Sequence, residues 1–172
     1  MAATTSSGKN SAPDVAERYS HERFMRAALE EARLALEAGD IPVGAVVVHD
    51  DEIVSTGRNA VESERNDLLH AEHTAVARIP QFLWRRRREC TVYTTMEPCA
   101  MCLGAIVYSA IDRIVWGASD PLAATHAAVE ATPYYGRRTL VLLGGVLEAE
   151  CQALLNEYVR RNARRGYLFK AV

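Results

Sequence analysis

Two short motifs combine the residue types that hold a catalytic zinc ion. His70 and Glu72 are separated by one residue, and Cys99 and Cys102 follow in the run Pro98-Cys99-Ala100-Met101-Cys102. One imidazole and two thiolates fill three positions of tetrahedral zinc and leave the fourth open for water, whose pKa the metal lowers towards neutrality. A carboxylate that is not a ligand can then carry protons. The motifs predict a hydrolytic zinc site with His70, Cys99 and Cys102 as ligands and Glu72 as the proton carrier.

The spacing also predicts where these residues sit on their helices. On a regular helix, His70 and Glu72 would point about 200° apart, so His70 must lie at a helix start, where it is free to turn. Pro98 suits the first position of a second helix because its φ is preset, and residues three apart share a helix face. The ligands are therefore expected at two adjoining helix starts. Glu97 either orients a ligand, caps the turn or is a solvated loop acid.

The two motifs resemble those of the cytidine deaminase-like superfamily, and its purine and tRNA-adenosine branch in particular. The similarity includes Ile41 to Val48, Gly57-Arg58-Asn59 and Tyr93 to Gly104, and it extends over roughly residues 20 to 160. It implies a three-layer α/β/α fold with a mixed five-stranded sheet and one zinc ion per chain.

The resemblance also implies substrate contacts. Asn59 would contact the base or sugar, although it could instead be a turn residue after Gly57. The backbone N–H groups of Ala71 and Cys99 would support developing charge, and Pro98 is a further candidate contact.

Other interpretations of the motifs are weaker. A closed structural zinc site would take His73 as its fourth ligand, but such sites rarely place an acid between their ligands. A redox Cys-x-x-Cys would leave His70 and Glu72 unexplained. A non-catalytic zinc-binding subunit would be expected to lack the acid that Glu72 provides.

Composition sets wider limits. The 172 residues, 49% of them hydrophobic, fit one globular domain, which we place at residues 19–172. Residues 1–18 are polar and predict a disordered tail without the apolar stretch of a signal peptide. Two of the four cysteines are assigned to metal, so no disulfide framework is expected and a cytoplasmic location is favoured.

Hydrophobic periodicity predicts the elements that position the motifs. Helices are expected at 21–38, from His70 to near Pro80, from Pro98 to about Ser109, at 121–130 and from Leu147 to about Arg164. Strands are expected at 43–48, 52–57, 91–95, 113–117 and 140–143. The first two strands should form a hairpin, residues 59–69 a loop, and the last two strands a parallel pair joined by a helix.

The substrate is predicted to be a free nucleobase or nucleoside, most plausibly a purine such as guanine or adenine. The alternative is a tRNA wobble adenosine. A formal net charge of −2 argues against a phosphate-binding surface, and residues 119–125 lack the Lys- and Gly-containing loop that the resembled tRNA enzymes carry.

Features that could serve RNA or substrate binding are also present. Basic clusters lie at Arg85 to Arg88 and at the C-terminal end; the latter comprises Arg160, Arg161, Arg164, Arg165 and Lys170. Candidate contacts to the substrate ring are Tyr134, Tyr135, Tyr167 and Phe169, with Asp120 as a further contact. The resemblance also implies a homodimer.

Overall fold

The computed structural model describes residues 15–163, with side chains from residue 21 onward. Its strands are β1 (Gly44–His49), β2 (Glu52–Arg58), β3 (Cys90–Met96), β4 (Arg113–Ala118) and β5 (Val141–Leu143). They form one five-stranded sheet in the order β2-β1-β3-β4-β5. β1 pairs antiparallel with β2 and β3, whereas β3, β4 and β5 run parallel. This is the predicted mixed sheet, with the predicted parallel pair at its end.

Helices cover both faces of the sheet. In chain order they are α1 (Val15–Ala38), α2 (Val61–Glu64), α3 (Ala71–Ala77), α4 (Pro80–Arg86), α5 (Ala100–Tyr108), α6 (Thr125–Ala131) and α7 (Glu148–Asn162). α1 and α7 pack on one face, and α3 to α6 pack on the other. The three-layer α/β/α prediction is confirmed. Across the described residues, no helix has both the length and the apolar character needed to span a membrane.

The alternation along β1 shows why its sequence is apolar throughout. Ala45 and Val47 enter the core beneath α3 and α5, whereas Val46 and Val48 enter the core beneath α1. A strand that is buried on both faces has no solvent side on which polar residues would be favourable.

The predicted hairpin is formed by β1 and β2. Asp50 and Asp51 connect the strands with φ values of 48° and 64°. Two successive residues with positive φ match the twist of a two-residue hairpin turn, and aspartate tolerates this conformation better than most residues.

Several elements differ from the prediction. α1 begins at Val15, so residues 15–18 of the predicted tail are helical, and residues 1–14 lie outside the described part. Pro80 starts a new helix because its preset φ suits a first helical position, and Leu83 buries that helix against the core. The predicted loop at 59–69 contains α2.

The last two predicted helices begin later than expected. α6 begins at Thr125 because Asp120 Oδ1 accepts the Leu122 N–H in a tight turn, and Ala124 has a left-handed φ of 47°. α7 begins at Glu148, with Leu147 as its N-cap, and Arg164 lies outside the described residues.

Candidate metal centre and active site

The first motif lies at the start of α3, as its spacing predicts. His70 is the N-cap, with extended φ and ψ of −71° and 152°, and Glu72 lies in the first turn. Because His70 lies outside the regular helix, its side chain is not bound by the 200° separation from Glu72. Both side chains can therefore face one site.

A close contact with β2 fixes the position of α3. A Cβ atom on Gly57 would lie 2.2 Å from the Ala71 carbonyl oxygen and 2.6 Å from the Ala75 nitrogen, so only glycine fits there. Two residues earlier, Ser55 Oγ donates a hydrogen bond of 2.7 Å to the Ala75 carbonyl. β2 thus supports the backbone of the helix that carries Glu72.

The second motif lies at the start of α5, and the first helical residue is Ala100, two residues later than predicted. Cys99 is the N-cap, with φ and ψ of −65° and 168°, and its carbonyl accepts the Leu103 N–H at 2.8 Å. Pro98 therefore precedes the cap, and the expectation that it takes the first helical position is wrong. Met96 ends β3, so the three-residue connection from Glu97 to Cys99 brings the chain from the sheet directly to the site.

The two helix starts bring three donor atoms together. His70 Nδ1 lies 3.6 Å from both Cys99 Sγ and Cys102 Sγ, and the three donor atoms all lie within 4.8 Å of one another. Cys102 is buried, and the other two are half-buried. One nitrogen and two sulfurs at these separations suit a single zinc ion and leave a coordination position for a further ligand.

The electrostatics of the two cysteines reflect their proximity. A hydrogen bond between the thiol groups lowers the pKa of Cys99 to about 4 and raises that of Cys102 above its ordinary value. The hydrogen bond with Cys99 also raises the pKa of His70. Zinc binding requires both thiolates and a neutral imidazole, so metal uptake at this cluster releases protons.

Glu72 has the environment of a proton carrier. Its side chain is 3% exposed, and desolvation raises the pKa of its carboxyl group. His70, Cys99 and Cys102 all act on the pKa of this carboxyl group, as expected for an acid beside the three donors. A raised pKa brings the carboxyl closer to the pH range in which an acid can both accept and donate a proton.

The structure does not bring His73 into the metal cluster. In the part of the chain with described side chains, the cluster of metal-binding groups consists of His70, Cys99 and Cys102. The closed four-ligand arrangement with His73 is therefore not formed.

Glu97 is buried and structural, which resolves the alternatives that the sequence left open. Its Oε2 accepts the Asp120 N–H at 3.0 Å, and its Oε1 accepts the Thr125 N–H at 2.9 Å. Thr125 Oγ1 in turn donates to the Pro98 carbonyl at 3.2 Å. Glu97 is thus a cap for α6, not a solvated acid.

Asn59 is buried in the short connection between the end of β2 and the start of α2. It is 4% exposed, and its Oδ1 accepts the Val61 N–H at 3.2 Å, which is the turn geometry that the sequence allowed. The contact between Asn59 and a substrate stays a prediction.

Sequence reasoning missed Asp40, which holds the same segment. Asp40 is fully buried, and its Oδ1 accepts the N–H groups of Glu62 and Ser63 at 2.7 and 3.1 Å. These are donors of the first turn of α2, which a carboxylate caps well. The sequence offered one signal for this role. Asp40 directly follows Gly39, which marks the predicted end of α1, and an acid there has no function within α1 itself.

The aromatic candidates divide into different environments. Tyr134 stacks on Tyr108 with ring centroids 4.5 Å apart, and Tyr135 is buried in the core. Asp120 is half-buried beside Glu97. Tyr167 and Phe169 lie outside the described residues.

The basic clusters lie on two elements. Arg85 and Arg86 end α4, and Arg87 and Arg88 follow in a 3₁₀ turn. Arg160 and Arg161 end α7, whereas Arg164, Arg165 and Lys170 lie outside the described range.

Comparison with known proteins agrees with the metal site. Residues 18–118 match the family model of the cytidine and deoxycytidylate deaminase zinc-binding region. A tRNA-specific adenosine deaminase of Bacillus subtilis is 35% identical over 142 residues, which are 81% of this chain and 88% of that protein.

Solved structures share the fold. One comes from studies of A-to-I editing by tRNA:A34 deaminases at the wobble position; it is 31% identical, with a TM-score of 0.66 over 77% of this chain and 99% of that chain. A guanine deaminase from Bacillus subtilis is 35% identical, with a TM-score of 0.54 over 62% of this chain and 69% of that one.

The chain belongs to the cytidine and deoxycytidylate deaminase family. It is a zinc-binding deaminase, a hydrolase of carbon–nitrogen bonds, with His70, Cys99 and Cys102 as the group that can hold the ion. The expectation of a free nucleobase or nucleoside substrate is wrong. Curated relatives that are 32 to 40% identical to this chain are tRNA-adenosine deaminases, whereas the guanine deaminases occur among the solved structures.

Proposed function

We propose that this chain is a tRNA-specific adenosine deaminase that converts the wobble adenosine to inosine. The observation that carries the proposal is the set of curated relatives, which are named for that activity and include one whose own length is 88% covered. The reaction consumes water and releases ammonia, which agrees with a metal site that keeps one coordination position for a ligand from outside the protein.

The residues of the site divide the chemistry among them. Zinc held by His70, Cys99 and Cys102 would supply the nucleophile by lowering the pKa of a water molecule. Glu72 would take a proton from that water and deliver it to a ring nitrogen of adenine as the hydroxide adds to the amine-bearing carbon. It would then take the hydroxyl proton of this adduct and pass it to the amine, so that ammonia leaves as the carbonyl of inosine forms. Burial suits Glu72 to this role because it favours the protonated form that the second and third steps require.

Backbone donors complete the arrangement. Ala71 is the first residue of α3, and Cys99 is the N-cap of α5. N–H groups at these positions lack the acceptors that lie inside a regular helix. They are therefore available to stabilise charge that develops on the adenine ring, while the Asn59 amide contacts the nucleoside.

The acidic net charge is compatible with an RNA substrate. A charge of −2 is an average over the chain, whereas an anticodon loop is recognised through a few unstacked bases and nearby phosphates. Local shape and hydrogen bonding at the site then matter more than the total charge.

The decisive experiment uses two transcripts of one tRNA, one with adenosine and one with guanosine at the wobble position. The enzyme should form inosine in the first, and digestion followed by mass spectrometry should find none in the second. Glu72→Gln is the matched control because it preserves the size of the side chain and removes its acid. No inosine in the adenosine transcript, from zinc-loaded enzyme, would contradict the proposal.

We also propose that the chain acts as a homodimer. Support comes from the aromatic pair at the end of α5, where Tyr108 is 66% exposed and stacks on Tyr134. Exposed aromatic surface of this kind is enriched in protein interfaces. Sedimentation analysis of the wild type and of Tyr108→Ser tests this, since the variant should shift towards monomer.

A further inference from the structure

The carboxylate of Glu97 joins two segments, one of which leads into the metal cluster. The first is the connection from Glu97 to Cys99, which ends at a zinc-binding residue. The second is the segment from Asp120 to Thr125, which ends at the start of α6. Both oxygens of Glu97 are used, at 3.0 Å to the Asp120 N–H and 2.9 Å to the Thr125 N–H.

These hydrogen bonds close a loop at both of its ends. Asp120 and Thr125 are the first and last residues of the loop, and Glu97 receives one N–H from each. Within the loop, the Asp120 side chain accepts the Leu122 N–H at 2.9 Å, and Leu122 is 82% exposed. The loop thus projects outward while one buried acid holds its base.

A further hydrogen bond joins the 120–125 loop directly to the 97–99 connection. Thr125 is fully buried, and its Oγ1 donates to the carbonyl of Pro98, the residue before Cys99. The backbone N–H of Glu97 donates to the Ala118 carbonyl at 2.8 Å, just before the loop begins. Three hydrogen bonds therefore connect the two segments on the carboxyl side of β3 and β4, and a fourth joins Glu97 to the last residue of β4.

We propose that Glu97 is a positioning residue that holds the 120–125 loop against the 97–99 connection and so determines how tightly the RNA substrate binds. The inference rests on the proposed function, because it assigns the 120–125 loop to the substrate side of that site. Asp120 is the residue of the loop that the sequence already marks as a candidate contact.

The role requires a carboxylate, not only a buried polar group. Two N–H donors converge on Glu97, and no basic side chain among the described residues forms an ion pair with it. Glutamine would present one oxygen and one NH₂ group, so one of the two N–H donors would face another donor. A buried donor without its acceptor is unfavourable, and the loop would move to satisfy it.

The test compares Glu97→Gln with Glu130→Gln, the same chemical change at an exposed residue of α6. For an anticodon stem-loop with a wobble adenosine, we expect Glu97→Gln to raise KM about tenfold, the equivalent of about 1.4 kcal/mol. We expect kcat to change less than threefold and zinc content, measured by a chelator-competition titration, to stay at one per chain. Glu130→Gln should match the wild type in all three.

A double-mutant cycle with Asp120→Asn identifies the path. If Glu97 acts through the loop, Asp120→Asn should raise KM in the wild type and add little in Glu97→Gln. Fully additive effects, or an unchanged KM in Glu97→Gln, would overturn the inference. A parallel loss of zinc and kcat would also overturn it, because Glu97 would then act only by holding the 97–99 connection that carries the zinc-binding Cys99. Wild-type enzyme that ignores the stem-loop would instead refute the proposed function.

Discussion

Replacing Gly57 by alanine tests whether the contact between β2 and α3 positions the active site. The added methyl group would lie 2.2 Å from the Ala71 carbonyl oxygen and 2.6 Å from the Ala75 nitrogen. Both of these neighbours are backbone atoms. Neither can rotate away as a flexible side chain could. The strain must therefore be relieved by moving α3, which begins directly after His70 and carries Glu72.

The size of the movement follows from the contact. Cβ atoms essentially never approach a heavy atom closer than 3.0 Å, so the distance must grow by at least 0.8 Å, from 2.2 Å to 3.0 Å. Overpacking of a buried contact costs about 1 to 3 kcal/mol of stability. A displacement of about 1 Å at a catalytic group lowers the rate by about a hundredfold.

The assay compares Gly57→Ala with Gly136→Ala, since a Cβ on Gly136 would have no heavy atom within 4 Å. We expect Gly57→Ala to lower kcat on the anticodon stem-loop by about a hundredfold and the free energy of unfolding by about 1 to 3 kcal/mol. Gly136→Ala should change neither. Wild-type kcat and stability in Gly57→Ala would show that α3 is not held by this contact.

Three further predictions concern buried acids and a buried thiol. Asp40→Ala should lower the free energy of unfolding by about 1 to 2 kcal/mol in urea denaturation, because the first turn of α2 loses its cap; an unchanged midpoint would contradict this. Glu72→Gln should lower kcat by about 10² to 10⁴-fold while zinc stays bound, and an equally active variant would remove Glu72 from the mechanism. Burial raises the pKa of Cys151 from 9.0 to about 12, so the unfolded chain loses this proton first and the free energy of unfolding falls as pH rises from 9 to 12. That decline should be shallower in Cys151→Ala, and an identical pH dependence would refute the assignment.

The sequence predicted the site where spacing constrains geometry. His70 had to lie at a helix start because Glu72 would otherwise point away from it, and the structure places His70 at the N-cap of α3. The strands of the sheet were predicted to within a residue or so of their ends. The apolar runs of β1, β3 and β4 are mostly buried, which makes these strands the easiest to recognise.

Tertiary hydrogen bonds explain most of what the sequence did not predict. Glu97 and Asp40 look like ordinary loop acids, and their roles depend on N–H groups that lie 23 to 28 and 22 to 23 residues further along the chain. The prediction for Pro98 relied on a statistical preference of proline for the first helical position, but the Cys99 carbonyl accepts the first helical hydrogen bond and makes Cys99 the cap. The substrate prediction relied on total charge, which is an average over the chain and does not describe the charge at any one surface.

We propose that this metal site acts on adenosine within RNA. One competition measurement tests it most directly: zinc-loaded enzyme receives an anticodon stem-loop with a wobble adenosine, free adenosine and free guanine together, and each product is quantified over time. We expect inosine to appear in the stem-loop while free adenosine and guanine stay unchanged. Faster deamination of guanine or free adenosine than of the stem-loop would contradict it.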